Sequence, residues 1–187
     1  MIDETGWLLG VQYAVQLAPS ARRGETSEIL VGSVEAVSRR ARKLLDRDWQ
    51  LRLPERIDTV IAAIPTDQQE VSWTLLGTAL EAAKSLVERG GRIIALTDLA
   101  AEPGPGVQTV RDQRSAKAAL QPLRALAPED LLPATQLAAA ADWAKVYLLS
   151  GLDKTLVEEL FCMPLESEQE LSRLLAGIER CVILSAA

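Results

Sequence analysis

The stretch from Ile57 to Leu99, IDTVIAAIPTDQQEVSWTLLGTALEAAKSLVERGGRIIALTDL, constrains this chain more than any other. It reads as strand, loop, long helix, Gly-Gly turn, strand. Thr59 to Ile64 is a short apolar, β-branched run ended by Pro65, the pattern of a parallel strand buried on both faces. Asp67 or Ser72 can cap the helix that follows. Leu76, Leu80, Ala83 and Val87 recur at helical spacing and lay one apolar stripe against a sheet. Gly90-Gly91 is expected to stop the helix, because glycine tolerates the left-handed geometry of a C-cap. Arg92 to Thr97 is the returning strand, which makes the unit a βαβ crossover of right-handed sense. Ligands of open α/β sheets bind beyond the carboxyl ends of the strands, most often where the strand order reverses. A small-molecule site is therefore expected in the segments Pro65 to Trp73 and Asp98 to Gly106, with Pro65, Thr66, Asp67, Trp73, Asp98, Gly104 and Gly106 as candidates.

Ahead of this unit, Trp7 to Leu17 alternates from Val11. Val11, Tyr13, Val15 and Leu17 fall on one side and Gln12, Ala14 and Gln16 on the other, as in a half-buried strand. A polar loop, Ala18 to Ser27, leads to a second short strand, Glu28 to Val31, so the opening is a hairpin, expected at an edge of the main sheet. Ser33 can cap a helix to about Trp49, with Val34, Val37, Ala41, Leu44 and Leu45 on its apolar face. Arg39, Arg40, Arg42, Lys43 and Arg47 line the rest of it. They read either as a phosphate or nucleic-acid surface or, as we prefer, as a solvated face whose charges suit the helix C-terminus.

Beyond Asp98, Pro103-Gly104-Pro105-Gly106 interrupts both helix and strand, and reads equally as a lid or as a plain connector. Helical segments of about Asp112 to Leu126 and Pro128 to Ala144 follow, with Pro122 breaking or kinking the first. Lys145 to Ser150 is another buried strand, and Asp153 caps a helix ending near Phe161. Ser167 and Glu170 form a capping box, and Cys181 to Leu184 is the last strand. From residue 57 the order β-α-β-α-α-β-α-α-β is that of a doubly wound α/β fold. It implies a mostly parallel sheet with helices on both faces, made mixed by the N-terminal antiparallel hairpin.

Composition narrows the chemistry. The 187 residues suit a single α/β domain, and a chain that opens straight into a strand suits a piece of a longer one. A net charge of −6 argues against a general nucleic-acid binder. No apolar run reaches the roughly 18 residues of a membrane span, and there is no signal-peptide pattern. Cys162 and Cys181 make no metal-ligand spacing, and both are expected to be buried thiols in a reducing, cytoplasmic setting. Histidine is absent altogether, which removes histidine-based triads, most transition-metal sites and the commonest acid/base group at neutral pH. No pair of carboxylate, Lys, Tyr or Cys side chains replaces it. The chain alone is therefore expected to be no self-sufficient catalyst and to bind no cofactor.

Individual motifs add little. There is no GxGxxG after a strand and no GxxxxGK[ST]. Leu86 to Ala95 resembles the helix, Gly-Gly, strand turn of class I methyltransferases, yet the glycine-rich loop those enzymes carry after their first strand is missing. Asp67 and Glu70 read as an acid/base pair or, preferably, as carboxylates favoured at a helix N-terminus. Trp73 reads as a core or rim filler rather than a ligand platform.

Taken in order, four stretches resemble the C-terminal domain of nickel-dependent lactate racemase and its relatives. They are the opening strand pair running into Val31-Gly-Ser-Val-Glu-Ala36, the unit Ile57 to Asp98 with its GG-x-I-I turn, Lys145-Val-Tyr-Leu-Leu-Ser-Gly-Leu152, and the last helix and strand, Ser167 to Ser185. The resemblance implies that residues 1–187 are the C-terminal half of a two-domain enzyme whose active site lies between the domains. It implies a nickel pincer nucleotide tethered to a lysine of an N-terminal catalytic domain, in the same or a separate chain. It also implies hydride removal from a small 2-hydroxy acid, with paired histidines of that other domain handling the proton. By the same resemblance, the C-terminal domain contributes Tyr-Gln and, three residues on, Lys, which match Trp73, Thr74 and Gly77. The aromatic is kept in kind while the amide and the cation are lost. A glycine cannot neutralise a carboxylate, which argues against lactate itself as substrate. The remaining alternatives are a non-catalytic α/β binding or subunit-interface module and a degenerate methyltransferase-like domain.

Overall fold

A computed structural model describes residues 2–20, 25–48, 53–64, 71–178 and 180–185, with side chains from residue 4 onward. The chain divides into two compact units, residues 1–54 and 55–187.

The first unit holds helix α1 (Ile2–Leu8), strands β1 (Ala14–Pro19) and β2 (Thr26–Gly32), and helix α2 (Val34–Asp48). The strands form an antiparallel pair with Val15 opposite Val31 and Leu17 opposite Ile29. Ala18 and Leu30 pack against Val37, Ala41 and Leu44 of α2. Three expectations change here. Trp7 to Leu9 lies at the end of α1, which Gly10 closes with a left-handed φ of 67°, so the strand starts only at Ala14. The alternation of apolar residues is real, but its face is inverted: Val15 and Leu17 are exposed, while the small Ala14 and Ala18 face the helix. The hairpin also does not join the main sheet; it stands as a separate two-stranded sheet. The arginines of α2 are drawn into ion pairs, Arg39 with Glu35, Arg40 with Glu28 and Arg47 with Asp48, as the solvated-face reading requires.

The second unit is a parallel α/β sheet. Its strands are β3 (Ile57–Ala63), β4 (Val87–Leu96), β5 (Lys145–Leu149), β6 (Met163–Leu165) and β7 (Cys181–Ser185), in the spatial order β6-β5-β4-β3-β7. The chain thus winds outward from β3 to β6, then returns to the other side of β3. Helices α3 (Trp73–Leu86) and α6 (Leu131–Trp143) cover one face of the sheet. There Val60, Ala62, Ile93, Ala95, Val146 and Leu148 meet Leu76, Leu80, Ala83 and Leu137 in one core. Helices α4 (Pro105–Arg111) and α5 (Ala116–Leu126) pack on α6, and α7 (Lys154–Glu159) packs beside β6. Strand alternation turns the buried Ile61 and Ile94 to the opposite face. The right-handed rule sends the return connection, with α8 (Glu168–Leu175), over that face, because its direction across the sheet is reversed.

Several boundaries shift for physical reasons. Helix α3 is capped by Ser72 and ends at Leu86, where Val87 turns directly into extended geometry. The Gly-Gly pair therefore does not cap the helix. Val87 pairs with Ile57, the chain bulges through Gly90 at φ 82°, and pairing resumes at Arg92 opposite Thr59. Gly91 is held to glycine because a Cβ there would lie 2.6 Å from the Asp58 carbonyl oxygen. The last carbonyls of α3 are served by Arg56, which donates to Lys84 and Val87 and stacks on Trp143 at 5.2 Å. Pro105 and Gly106 are helical, with Pro105 in the first turn of α4, where a missing N–H costs nothing. Asp112 ends α4 rather than starting the next helix, and α5 runs through Pro122. Strand β6, only three residues long, escaped the sequence pattern. Cys162 is buried as expected, but Cys181 on the edge strand β7 is exposed.

Two measurements check this packing. Burial pushes the Cys162 thiol up to about 12. In native protein below pH 9 a thiol reagent should therefore modify Cys181 alone, and both cysteines only in denaturant. Asp58 is held below its usual carboxylate range by Arg92 and by the Thr59 hydroxyl, which donates at 2.9 Å. A lowered folded value means that this stabilisation is present above the unfolded value, about pH 4, and is lost as pH falls through the folded value. Asp58→Asn should cost less than about 1 kcal/mol at pH 7, since the pair is half exposed, and the difference from the parent should vanish in acid.

Candidate functional site

Register across the sheet decides where a site can form. Ala63 of β3 stands opposite Leu96 of β4 and Ser185 of β7, and Leu96 stands opposite Leu149 of β5. These four residues end their strands at one level. With Ile64, Thr97 and Asp98 they line a cavity of about 340 Å³. It spans β3 and β7, the point where the strand order reverses, as expected for an open parallel sheet. A second hollow of about 250 Å³ is lined by Val71, Asp98, Ala100 and Ala101, so Asp98 borders both.

The backbone around the cavity is closely tied. Ile64 N–H donates to Leu96 O and Thr97 N–H to Leu149 O, each at 2.9 Å, continuing the ladder beyond the strand ends. The Thr97 hydroxyl accepts from Leu99 N–H at 3.2 Å, and the Leu99 carbonyl accepts from Gly151 N–H at 2.9 Å. Together these turn the chain out of β4 and leave the exposed Asp98 side chain at the rim.

Trp73 sits at the start of α3 and is 9 % exposed. Its indole N–H is shared between the carbonyls of Ala101 (3.1 Å) and Glu102 (2.9 Å). It belongs to the buried core, as the filler reading expects, and it also pins the loop 98–104 that walls the second hollow. The next segment is pinned from the other side. Asp130 accepts from Gly106 N–H at 2.6 Å and Val107 N–H at 3.1 Å, capping α4 from a distance. A Cβ on Gly104 or Gly106 would lie within 2.6 to 2.7 Å of that carboxylate, so both glycines make room for the cap. The Pro-Gly-Pro-Gly run is thus a clamped helix start.

The other candidates separate. Thr74 is exposed on α3. Gly77 faces α6, where a Cβ would come 2.6 Å from Gln136 Oε1 and 2.9 Å from Pro133 Cα. It lets the two helices approach closely and does not line either hollow. Pro65, Thr66 and Asp67 lie outside the described residues, as does Glu70. Sequence reasoning passed over Ser185, Leu149 and Ala63 as lining and Asp130 as a positioning residue. The strand-end rule reaches the first three once the strand order is known, whereas no local signal marks Asp130.

Chemically, the larger cavity has aliphatic walls with one carboxylate, Asp98, and two hydroxyls, Thr97 and Ser185. It suits a hydroxyl-bearing or cationic group. Its lining, among the described residues, offers no cation for a carboxylate. Among the described residues, no group of three or more His, Cys, Asp or Glu is placed to hold a metal ion, and no helix is long and apolar enough to cross a membrane.

Trp73→Phe removes the N–H that serves two carbonyls and trims the buried indole to a phenyl ring, which leaves a void. Together these should lower stability by about 2 to 4 kcal/mol and speed amide exchange in residues 98–104. Thr74→Ala, one residue on and exposed, should stay within about 0.5 kcal/mol of the parent.

No protein-family profile matches the chain, and no curated protein matches it either. Solved structures do. The chain is similar to the lactate racemase apoprotein from Thermoanaerobacterium thermosaccharolyticum, with a TM-score of 0.75 and 13% identity over 97% of this chain and 46% of that one. It is also similar to a protein from Thermotoga maritima, with a TM-score of 0.60 and 11% identity over 94% of this chain and 47% of that one. At these identities the likeness is one of fold, and the chain spans about half the length of either structure.

Proposed function

We propose that this chain is the cleft-forming C-terminal domain of a lactate-racemase-like protein of the 2-hydroxy acid isomerase type, and that it does not catalyse alone. The observation that carries the reading is the fold match to a lactate racemase over nearly all of this chain and under half of that one. It is supported by the cavity at the strand ends, which has the place and size of half a cleft for a small molecule. In this reading Asp98, Thr97 and Ser185 hold and orient hydroxyl groups of a small 2-hydroxy acid. Trp73 and Asp130 keep the surrounding loop still.

The other half of the chemistry belongs to a partner, an N-terminal catalytic domain in the same or a separate chain. When bound, a nickel pincer nucleotide would supply hydride transfer. The residues present here do not fit it: the sequence has no histidine, and the described residues show no metal-ligand cluster. The substrate carboxylate likewise needs a cation from the partner, since Gly77 is packed against α6 and offers none.

The test is to tag this sequence in its native host, recover it, and take the denatured mass of every component. The expected outcome is either a continuous chain about twice the 20.3 kDa of these residues or a stoichiometric histidine-bearing partner. The recovered species should interconvert the enantiomers of a 2-hydroxy acid, while the 187-residue chain by itself should not. Recovery of a 20.3 kDa chain with no such partner would overturn the reading.

A further inference from the structure

The polar groups of the larger cavity call for one kind of molecule. Asp98 is an acceptor, and its carboxylate makes no hydrogen bond or ion pair among the described residues. The Thr97 hydroxyl already accepts from Leu99 N–H at 3.2 Å, which turns its own O–H to donating elsewhere. Ser185 is exposed in the same lining, and its hydroxyl both donates and accepts. A hydroxyl group answers all three, since it donates to Asp98 and accepts from Thr97. An ammonium satisfies Asp98 but offers Thr97 no acceptor, a carboxylate is repelled by Asp98, and a methyl answers none of them.

We infer that the substrate of this site is a polyhydroxylated 2-hydroxy acid of more than three carbons, whose hydroxyls beyond carbon 2 are held by Asp98, Thr97 and Ser185. The inference rests on the reading above, in which a partner domain grips the carboxylate and carries out the chemistry at carbon 2. What then faces this lining is the remainder of the carbon chain. In lactate the remainder is a single methyl, which would displace water from Asp98 and return no hydrogen bond. A site built to bond substrate hydroxyls rejects the analogue that lacks them, because its own polar groups are left unpaired. Size agrees. The cavity of about 340 Å³ falls among pockets that take molecules well beyond three carbons. Asp98 also borders the hollow of about 250 Å³ at Val71 and Ala101, so a longer chain has room to run past its carboxylate.

The experiment is an NMR titration of the isotope-labelled 187-residue chain, whose dispersed amide signals also report folding. The probes are D-glucitol (a polyol with no carboxylate), D-gluconate (a polyhydroxy acid), L-lactate and butylamine. Glucitol and gluconate should shift the amides of Thr97, Asp98 and Ser185 saturably, and lactate and butylamine should not at the same concentrations. Asp98→Ala, at an exposed position, should keep the dispersed spectrum and bind glucitol about ten-fold more weakly. Thr74→Ala, which lines neither hollow, should bind it as the parent does. In the species recovered from the host, gluconate should be epimerised at carbon 2 faster than lactate is racemised. No saturable shift with either polyol, equal shifts with lactate or butylamine, unchanged affinity in Asp98→Ala, or faster turnover of lactate would each overturn the inference and leave the proposed function standing. Failure of that function shows separately, as a chain recovered without a histidine-bearing partner, whatever the polyols do.

Discussion

Residues 55–185 depend on one burial event, the closure of α3 over the parallel pair β3 and β4. Leu76, Leu80 and Ala83 are 1 %, 0 % and 0 % exposed and share one core with Val60, Ala62, Ile93 and Ala95. The tight fit is enforced at two glycines. Gly77 lets α6 approach α3, and Gly91 lets the bulged start of β4 approach β3. A close-packed interior tolerates no added methyl at such points without moving backbone. Everything that positions the cavity follows from this unit, because β5 and β7 take their levels from β4 and β3 by register.

The site is built by continuation of the same interactions. The ladder runs one step past the strand ends at Ile64 and Thr97, and only then does the chain turn outward. Trp73, at the first residue of the central helix, reaches across to hold the loop after β4. Asp130, at the N-cap of α6, reaches back to the start of α4. The first ties a helix start to the loop that walls the second hollow, and the second ties two helix starts together. Among the described residues, the lining of the larger cavity offers one carboxylate and two hydroxyls and no cation.

Where sequence reading succeeded, a local rule was enough. The capping oxygens of Ser72, Asp153 and Ser167 are each where the pattern puts them, because a cap involves only the next three residues. A cavity does lie at the carboxyl ends of the strands, the place to which the βαβ unit alone points. Where it failed, the answer lay in distant contacts. The alternation in Val11 to Leu17 cannot say which face meets α2, and Ala18 won because a small side chain lets the helix approach. Gly104 and Gly106 resemble a flexible lid until Asp130, 24 residues beyond Gly106, is seen to fill the space a Cβ would take. Gly77 resembles a lost ligand position until Pro133 and Gln136 occupy its surroundings.

The sequence by itself determined the α/β class, the right-handed unit at the centre, the caps, and the lack of histidine chemistry, since each depends on composition or on spacing within a few residues. Tertiary structure alone decided that β7 returns beside β3, which creates the switch point and brings Ser185 to the level of Ala63 and Leu96. It also decided that the hairpin stands apart from the main sheet with an apolar face uncovered. Strand order and the choice between two apolar faces are settled by which surfaces pack best over the whole chain. No short window of residues carries that information.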